Sequence, residues 1–405
     1  MNIVGNWPRR TDARRLQIFV HDLSATGVVR NAIAIANEAA ASGYQVRLLT
    51  CNADGVLRSE LGPGVAIVRL NDAQDAGRSR RAQMRKALFA YRKHSRAWRP
   101  DIMVSAGNHG HLLSSFAWLG LPGIKVLRFS NDLTHGLPSA ITRLWRAARF
   151  RLMARLADRL VYVSRAQGRH PLLAGQLSAG KALIIPNGVD LDFVRRGAAQ
   201  HCDHPWARDW SIPIVLAVGR HVRQKNFATL LKAFANARAE RPMRLIFLGD
   251  GQPAEISDLK KLAVQLQVAG DVDFVPAVQN PFCYMAAART FALPSLWEGS
   301  ANVLLEAMAC GTPVIGSRTA GDAEHILESG KHGVVVDPRD VEQMAAALLR
   351  QTGPVPVRPG MRAAAFSRNA AMRQYIRLFD VLTDRDNDAA AQAVEVPSAA
   401  VTARV

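Results

Sequence analysis

The sequence predicts an α/β chain of two doubly wound parallel sheets in series. Three observations carry this: apolar runs of strand length alternate with stretches of helical spacing, the pattern breaks at residues 203–210 and then restarts, and 405 residues with 49% hydrophobic composition suffice for two cores. In the first half, strands are expected at 16–20, 46–50, 65–70, 102–105, 125–129 and 160–163, with a helix over 28–42 that stops at Gly43. The second half opens with a strand at 214–218 and an amphipathic helix built on Phe227, Leu230, Leu231 and Phe234. Strands at 245–248, 272–275, 290–293, 314–315 and 333–336 complete it. The expected domains are 1–205 and 206–365, with a helix over about 366–383 returning to the first domain and a disordered tail over 384–405.

Charge is distributed unevenly. Of a formal net charge of +19, residues 1–205 carry 30 Lys and Arg against 13 Asp and Glu, whereas residues 206–405 carry 22 against 20. One half is therefore expected to face something anionic. Cys51, Cys202, Cys283 and Cys310 are scattered without a paired spacing, so they read as small buried residues rather than a zinc site or a disulfide framework. The N-terminal arginines have no apolar run behind them, and no uncharged apolar stretch approaches the length of a spanning helix. A cytoplasmic location is the expectation, with attachment to the inner face of the membrane.

Open parallel sheets bind ligands beyond the carboxyl ends of their strands. In the second half, four strand ends have the right chemistry or position. The strand at 214–218 ends in Gly219-Arg220 with Lys225 close behind, two cations where a diphosphate would sit. The strand at 245–248 ends in the turn Gly249-Asp250-Gly251. After the strand at 290–293, Glu298 lies in a loop and Glu306 in the following helix, while the backbone N–H groups around Ser300, Ala301, Asn302 and Val303 open that helix, a site for phosphate oxygens, and Gly299 before them counts among the donor-binding residues. The run Cys310-Gly311-Thr312-Pro313 reads as scaffold. Neither half contains a G-x-G-x-x-G or a P-loop, so the usual dinucleotide and NTPase signatures are absent from the sequence.

The run EGSANVLLEAMACGTPVI, with Gly219-Arg220 and Lys225-Asn226 upstream, resembles the E-x7-E signature of retaining glycosyltransferase family 4 on a GT-B fold, two Rossmann-like domains facing across a cleft. Resemblance extends to DLSATGVVRNAIAIANEAAASGYQV, similar to the family's N-terminal glycine loop and first helix, and to YVSRA and IPNGVD. It implies a nucleotide diphosphate sugar donor, with a lean to UDP, no metal, and retention of anomeric configuration. Arg220 and Lys225 would hold the diphosphate, Glu306 the ribose and Glu298 the transferred sugar, with Gly27, Gly219 and Gly249 lining the donor site. His109 would sit near the reacting carbon, and the acceptor would be lipid-linked or a glycan in lipopolysaccharide or exopolysaccharide assembly. Ser300 stands where the family has an aromatic residue, Ala301 where it has Gly or Pro, and Gly27 is a single glycine where two are common.

Asn108-His109-Gly110-His111 offers two imidazoles between which the residues alone do not choose; family placement selects His109. The pair lacks the further ligands a zinc site needs. Residues 78–99 and 141–159 form basic stretches interleaved with Leu88, Phe89, Trp98, Leu144, Trp145 and Leu152, a composition suited to an anionic membrane surface. Nucleic-acid binding would explain the charge but not the E-x7-E run, and 6% aromatic residues give few stacking platforms, so no nucleic-acid partner is expected. A GT-B nucleotide-sugar epimerase or a phosphorylase is the rival within enzymes.

Overall fold

A computed structural model describes residues 13–24, 26–75, 77–131, 139–209 and 211–383; the expected disordered tail lies outside the described residues. The first sheet is built from β1 (Arg15–Val20), β2 (Gln45–Thr50), β3 (Val65–Arg69), β4 (Ile102–Ser105), β5 (Ile124–Phe129), β6 (Arg159–Tyr162) and β7 (Ala182–Ile184). Its helices are α1 (Gly27–Ala41), α2 (Arg80–Trp98), α3 (His111–Ala117), α4 (Ala140–Leu156), α5 (Arg165–Arg169), α6 (Pro171–Ser178) and α7 (Leu191–Ala198). The second sheet comprises β8 (Ile214–Val218), β9 (Arg244–Leu248), β10 (Val272–Val275), β11 (Thr290–Leu293), β12 (Val314–Ser317) and β13 (Val334–Val336). It is covered by α8 (Phe227–Glu240), α9 (Pro253–Gln265), α10 (Phe282–Ala287), α11 (Asn302–Ala309), α12 (Ala323–Ile326) and α13 (Val341–Thr352), and α14 (Arg368–Thr383) ends the described chain.

The strand orders are β3-β2-β1-β4-β5-β6-β7 and β10-β9-β8-β11-β12-β13, paired in parallel throughout. Each order reverses direction once, between β1 and β4 and between β8 and β11, and ligand crevices open at such switch points. Both faces of each sheet are covered, which is why the strands read as continuous apolar runs. In β1, Leu16, Ile18 and Val20 face a core shared with Ile33 and Ala36 of α1, while Phe19 joins Tyr91 and Phe129 on the opposite face. Thr26 caps α1 by accepting from the Val29 N–H, and Gly43 at φ +89° follows the helix end.

The sequence expectation of two doubly wound sheets is borne out. Three local readings change. The three-residue β7 was not expected, β12 runs on to Ser317, and Arg159, expected at the end of a basic helix, begins β6. Helix α14 inserts Ala371, Met372, Tyr375, Leu378 and Phe379 into the core of the first sheet. Asp380 on its last turn accepts from Tyr44 Oη at 2.6 Å and Arg14 Nη1 at 2.9 Å. The chain thus crosses between the sheets twice. The crossings are hydrogen-bonded to each other, Val189 N to Phe366 O at 2.9 Å and Arg368 N to Val189 O at 2.8 Å.

Beneath them, the fully buried Arg128 guanidinium donates to Tyr375 Oη (3.0 Å), the Ala106 carbonyl (3.2 Å) and Asn187 Oδ1. These contacts join β5, the loop after β4, the first crossing and α14. We expect Tyr375→Phe to lower stability by about 1–2 kcal/mol, because it leaves a buried charged donor one partner short. A thermal melt checks this.

Candidate active site

The carboxyl ends of β8 and β11 are adjacent because their strands pair, and this brings together residues far apart in sequence. Gly219 follows β8 at φ +152°, a conformation that favours glycine, and a Cβ there would lie 2.7 Å from Lys225 Cε. Gly249, ending β9 at φ +142°, would bring a Cβ to 2.3 Å from the Gly219 carbonyl. Asn226, in the left-handed conformation, starts α8 and fixes the loop by donating to the Pro294 carbonyl at 3.1 Å and the Pro338 carbonyl at 2.6 Å.

Lys225 Nζ, thus positioned, donates to Glu298 Oε1 at 2.6 Å, with the two side chains only 14% and 12% exposed. Ser295 Oγ donates to the same carboxylate at 2.8 Å and Gln224 Nε2 at 3.1 Å. Gln224 also binds the Trp297 carbonyl at 2.8 Å, stitching the β8 loop to the β11 loop. Sequence reading gave Lys225 and Glu298 separate tasks. The structure holds them as one pair and adds Gln224 and Ser295, whose types carry no signal without the strand order. A lysine ammonium has three donors, so two remain for an anion while the third holds Glu298. Arg220 is exposed and has no hydrogen-bond or ion-pair partner among the described residues.

The loop from Glu298 leads to α11, whose first turn presents backbone N–H groups near Asn302 and Val303. Ala301 is buried in the second core and Ser300 Oγ bonds Asn302 Oδ1 at 2.9 Å, so the loop keeps a fixed path. Glu306, half-buried on α11, accepts no hydrogen bond among the described residues. Burial raises its pKa, opposed by the charges of Arg30, Arg368 and Lys225.

The first sheet closes over this site. A Cβ on Gly299 would come within 2.4 Å of the Ser130 carbonyl, just past β5, and one on Gly27 would be 3.6 Å from Asn302 Nδ2. Asn108 fixes the Ser130 turn, accepting from its N–H at 2.9 Å and donating to the Asn131 carbonyl at 3.1 Å. Farther along the crease, the Asp322 carboxylate accepts from the Arg165 and Ala166 N–H groups at 2.7 and 2.9 Å, capping α5 from the other domain.

The two histidines part company. His111 is fully buried, bonded through Nδ1 to Ser105 Oγ at 2.8 Å and packed on Phe129, and burial pushes its pKa down to about 3. His109 is on the surface of the loop, its pKa lowered by partial burial and by Arg80, His21 and Arg149. Beside it, and not foreseen from sequence, His21 Nδ1 faces Asp22 Oδ2 at 2.8 Å. Asp22 also accepts from Ser24 and Arg80, and its hydrogen bonds with His21 and Ser24 hold it ionised, well below the usual carboxylate range. Among the described residues no group of three or more His, Cys, Asp or Glu is placed to hold a metal ion. A cavity of about 570 Å³ opens elsewhere, at the amino ends of β8, β11 and β12, and takes no part in this arrangement.

Two parallel-sheet domains closing on a site at the strand ends of the second define the GT-B class. Sucrose-phosphate synthase of Thermosynechococcus elongatus has this fold, at a TM-score of 0.72 and 21% identity over 91% of this chain and 99% of that one. So does HepE of Anabaena in complex with UDP and glucose, at 0.70 and 17% over 91% and 100%. Residues 25–193 match the family described as Glycosyltransferase Family 4 and residues 212–352 that described as Glycosyl transferases group 1. The chain thus has the GT-B fold, and each of its halves matches the model of a glycosyltransferase family. A curated relative, the lipopolysaccharide core biosynthesis glycosyltransferase LpsE of Rhizobium meliloti, is 37% identical over 136 residues, 34% of this chain and 38% of the relative. The chain spans between 37% and 51% of the length of the first curated relatives it matches.

Proposed function

We propose that the protein transfers a sugar, with retention, from a nucleotide diphosphate donor held by the second domain to a lipid-linked or glycan acceptor held by the first, in assembly of a bacterial surface polysaccharide. The observation that carries this is the Lys225–Glu298 pair beside Arg220 and the opening of α11, under a roof formed by Ser130 and Gly27. Arg220, Lys225 and the α11 N–H groups neutralise the leaving diphosphate, the task a divalent metal performs elsewhere. Glu306 holds the ribose, Glu298 a sugar hydroxyl through Oε2, and His109, the histidine free of the core, borders the acceptor. The lipopolysaccharide relative and the UDP complex of HepE support the donor and the pathway. Acceptor-dependent release of nucleoside diphosphate in EDTA tests the reading. Interconversion of donor sugars without any acceptor would instead make the protein an epimerase.

The acceptor is met, in this reading, at an anionic membrane surface. No helix of the described residues is long and apolar enough to cross a membrane. Helix α4 exposes Ile141 (69%), Leu144 (67%), Trp145 (73%) and Leu152 (43%), which fall on one stripe, with arginines on both flanks. Phe89 on α2 is 81% exposed. Two of the apolar residues singled out in sequence do not belong to this surface. Leu88 packs on the core, and Trp98 is half-buried beneath the Arg47 guanidinium, 4.5 Å from its ring. Burying a large apolar side chain contributes about 1.5–3 kcal/mol, so Leu144→Glu with Trp145→Glu is expected to lower partitioning onto phosphatidylglycerol vesicles at least tenfold. Flotation measures it; a wild-type protein that stays off such vesicles at low salt contradicts membrane attachment.

A further inference from the structure

We infer that Asp322 is a positioning residue for the transfer, coupling the donor loop at the head of α11 to the seating of the first domain. Its carboxylate grips the first turn of α5, and the loop that carries it packs on the backbone of Ser300 and Ala301. The inference rests on the proposed donor reading and adds the residue that links the donor loop to the acceptor domain.

Asp322 follows β12 in the second domain, and its two oxygens accept separately from the Arg165 N–H at 2.7 Å and the Ala166 N–H at 2.9 Å in the first. These N–H groups open α5, where a helix has no acceptor of its own for them, and a carboxylate makes both bonds charge-assisted. Each partner is fixed within its own domain. The Gln167 side chain accepts from the Val163 N–H at 2.8 Å, Ser164 Oγ accepts from the Gln167 N–H at 3.2 Å, and both residues are buried. On the other side, the Asp322 carbonyl accepts from the Ile326 N–H at 2.8 Å, and Ala323 is fully buried. Neither element needs the other to fold, so the two bonds exist only while the domains are together. A crevice of about 450 Å³, lined from both domains by Arg165, Arg169, Arg318 and Glu324, runs beside them, and water reaches the N–H groups once they part.

The same loop is tied to the donor residues. Ser317 Oγ and Thr319 Oγ1 donate to the Ser295 carbonyl at 2.5 and 3.0 Å, and Ser295 Oγ holds Glu298, the partner of Lys225. Gly321, at φ +57° beside Asp322, lies so close to the donor loop that a Cβ on it would come 3.1 Å from both Ala301 N and Ser300 Cα. A continuous set of contacts therefore runs from Lys225 through Glu298, Ser295 and the loop after β12 to Asp322, and across to α5. An anion drawn to the N–H groups of residues 300–303 fixes the surface on which Gly321 rests and with it the aim of Asp322. Occupancy of one domain is thereby felt at two amides of the other.

The test is hydrogen exchange at the Arg165 and Ala166 amides, read by NMR in the wild type and in Asp322→Ala. Each is measured free and saturated with whichever of UDP, GDP, ADP and TDP raises the melting temperature. In the wild type the nucleotide is expected to slow both amides at least about threefold, because it favours the arrangement in which the donor loop and Asp322 are set. In Asp322→Ala both amides are expected to exchange about tenfold faster, the nucleotide no longer slows them, and the melting shift that it causes is kept. The variant's kcat should fall about tenfold with the donor KM within about threefold, and Asp322→Asn, which keeps one accepting oxygen, should recover part of the loss. Nucleotide that binds without slowing the wild-type amides, or slows them equally in Asp322→Ala, overturns the coupling and leaves the donor reading intact. An Asp322→Ala enzyme with kcat within about threefold of wild type overturns it as well. A folded protein that binds none of the four nucleotides fails the donor reading first, and the coupling falls with it.

Discussion

Replacing Lys225 by alanine is expected to lower kcat by roughly 100- to 1,000-fold, the loss found when one fixed donor to developing negative charge is removed. Lys225 is bound at 2.6 Å to a carboxylate at least as buried as itself, and its stem passes through space left by Gly219. The ammonium thus arrives already oriented, so little reorganisation is required when the diphosphate leaves. The same substitution leaves Glu298 with Ser295 and Gln224 alone, an under-compensated charge in a part-buried site. A stability loss of about 1–3 kcal/mol should accompany the kinetic one. Lys225→Arg keeps the charge but needs more room than Gly219 and Gly249 leave, and recovers only part of the rate. Arg220→Ala is expected to cost about two orders of magnitude in kcat with little change in stability, since Arg220 is exposed and unpaired among the described residues. Steady-state kinetics beside a thermal melt separate the effects; an Arg220→Ala enzyme within threefold of wild type would remove that residue from the chemistry.

The second large effect is expected at Gly299. Any side chain there meets the Ser130 carbonyl at 2.4 Å and the Asn131 Cα at 2.8 Å, both backbone atoms of the opposite domain. Gly299→Val leaves each sheet and each core untouched but prevents the domains from approaching. Reacting groups displaced by an ångström lose on the order of 100-fold in rate. We expect kcat to fall by about that factor while nucleoside diphosphate affinity changes by less than about threefold, because the donor contacts lie within one domain. Equal loss of donor affinity would mean that Gly299 serves the donor pocket rather than closure.

The strands and the restart of the pattern at 203–210 were legible because buried parallel strands are written as apolar runs. The three-residue β7 is too short to stand out in this way. The candidate site was legible only as separate fragments. Gly219, Lys225 and Glu298 each follow a strand, yet 73 positions separate the last two, and their pairing exists because β11 lies beside β8. Local pattern does not encode that order. Gln224, Ser295 and Asn108 are unremarkable residue types whose roles follow entirely from geometry. The basic helices show the same limit from the other side. Their composition is plain in the sequence, but which of Leu88, Trp98, Leu144 and Trp145 face outward depends on what packs against them, and Arg47 covering Trp98 comes from β2, far away in sequence.

The most direct test of the account is thermal stabilisation of the purified protein by UDP, GDP, ADP and TDP in EDTA. A site built from Arg220, Lys225, Glu306 and the α11 N–H groups predicts stabilisation by one nucleoside diphosphate, roughly 2.7 kcal/mol at 100 times its Kd, undiminished by the chelator and lost in Lys225→Ala. A folded protein whose melting is unmoved by all four, or moved only when a divalent metal is supplied, would contradict the metal-independent donor site at the ends of β8 and β11.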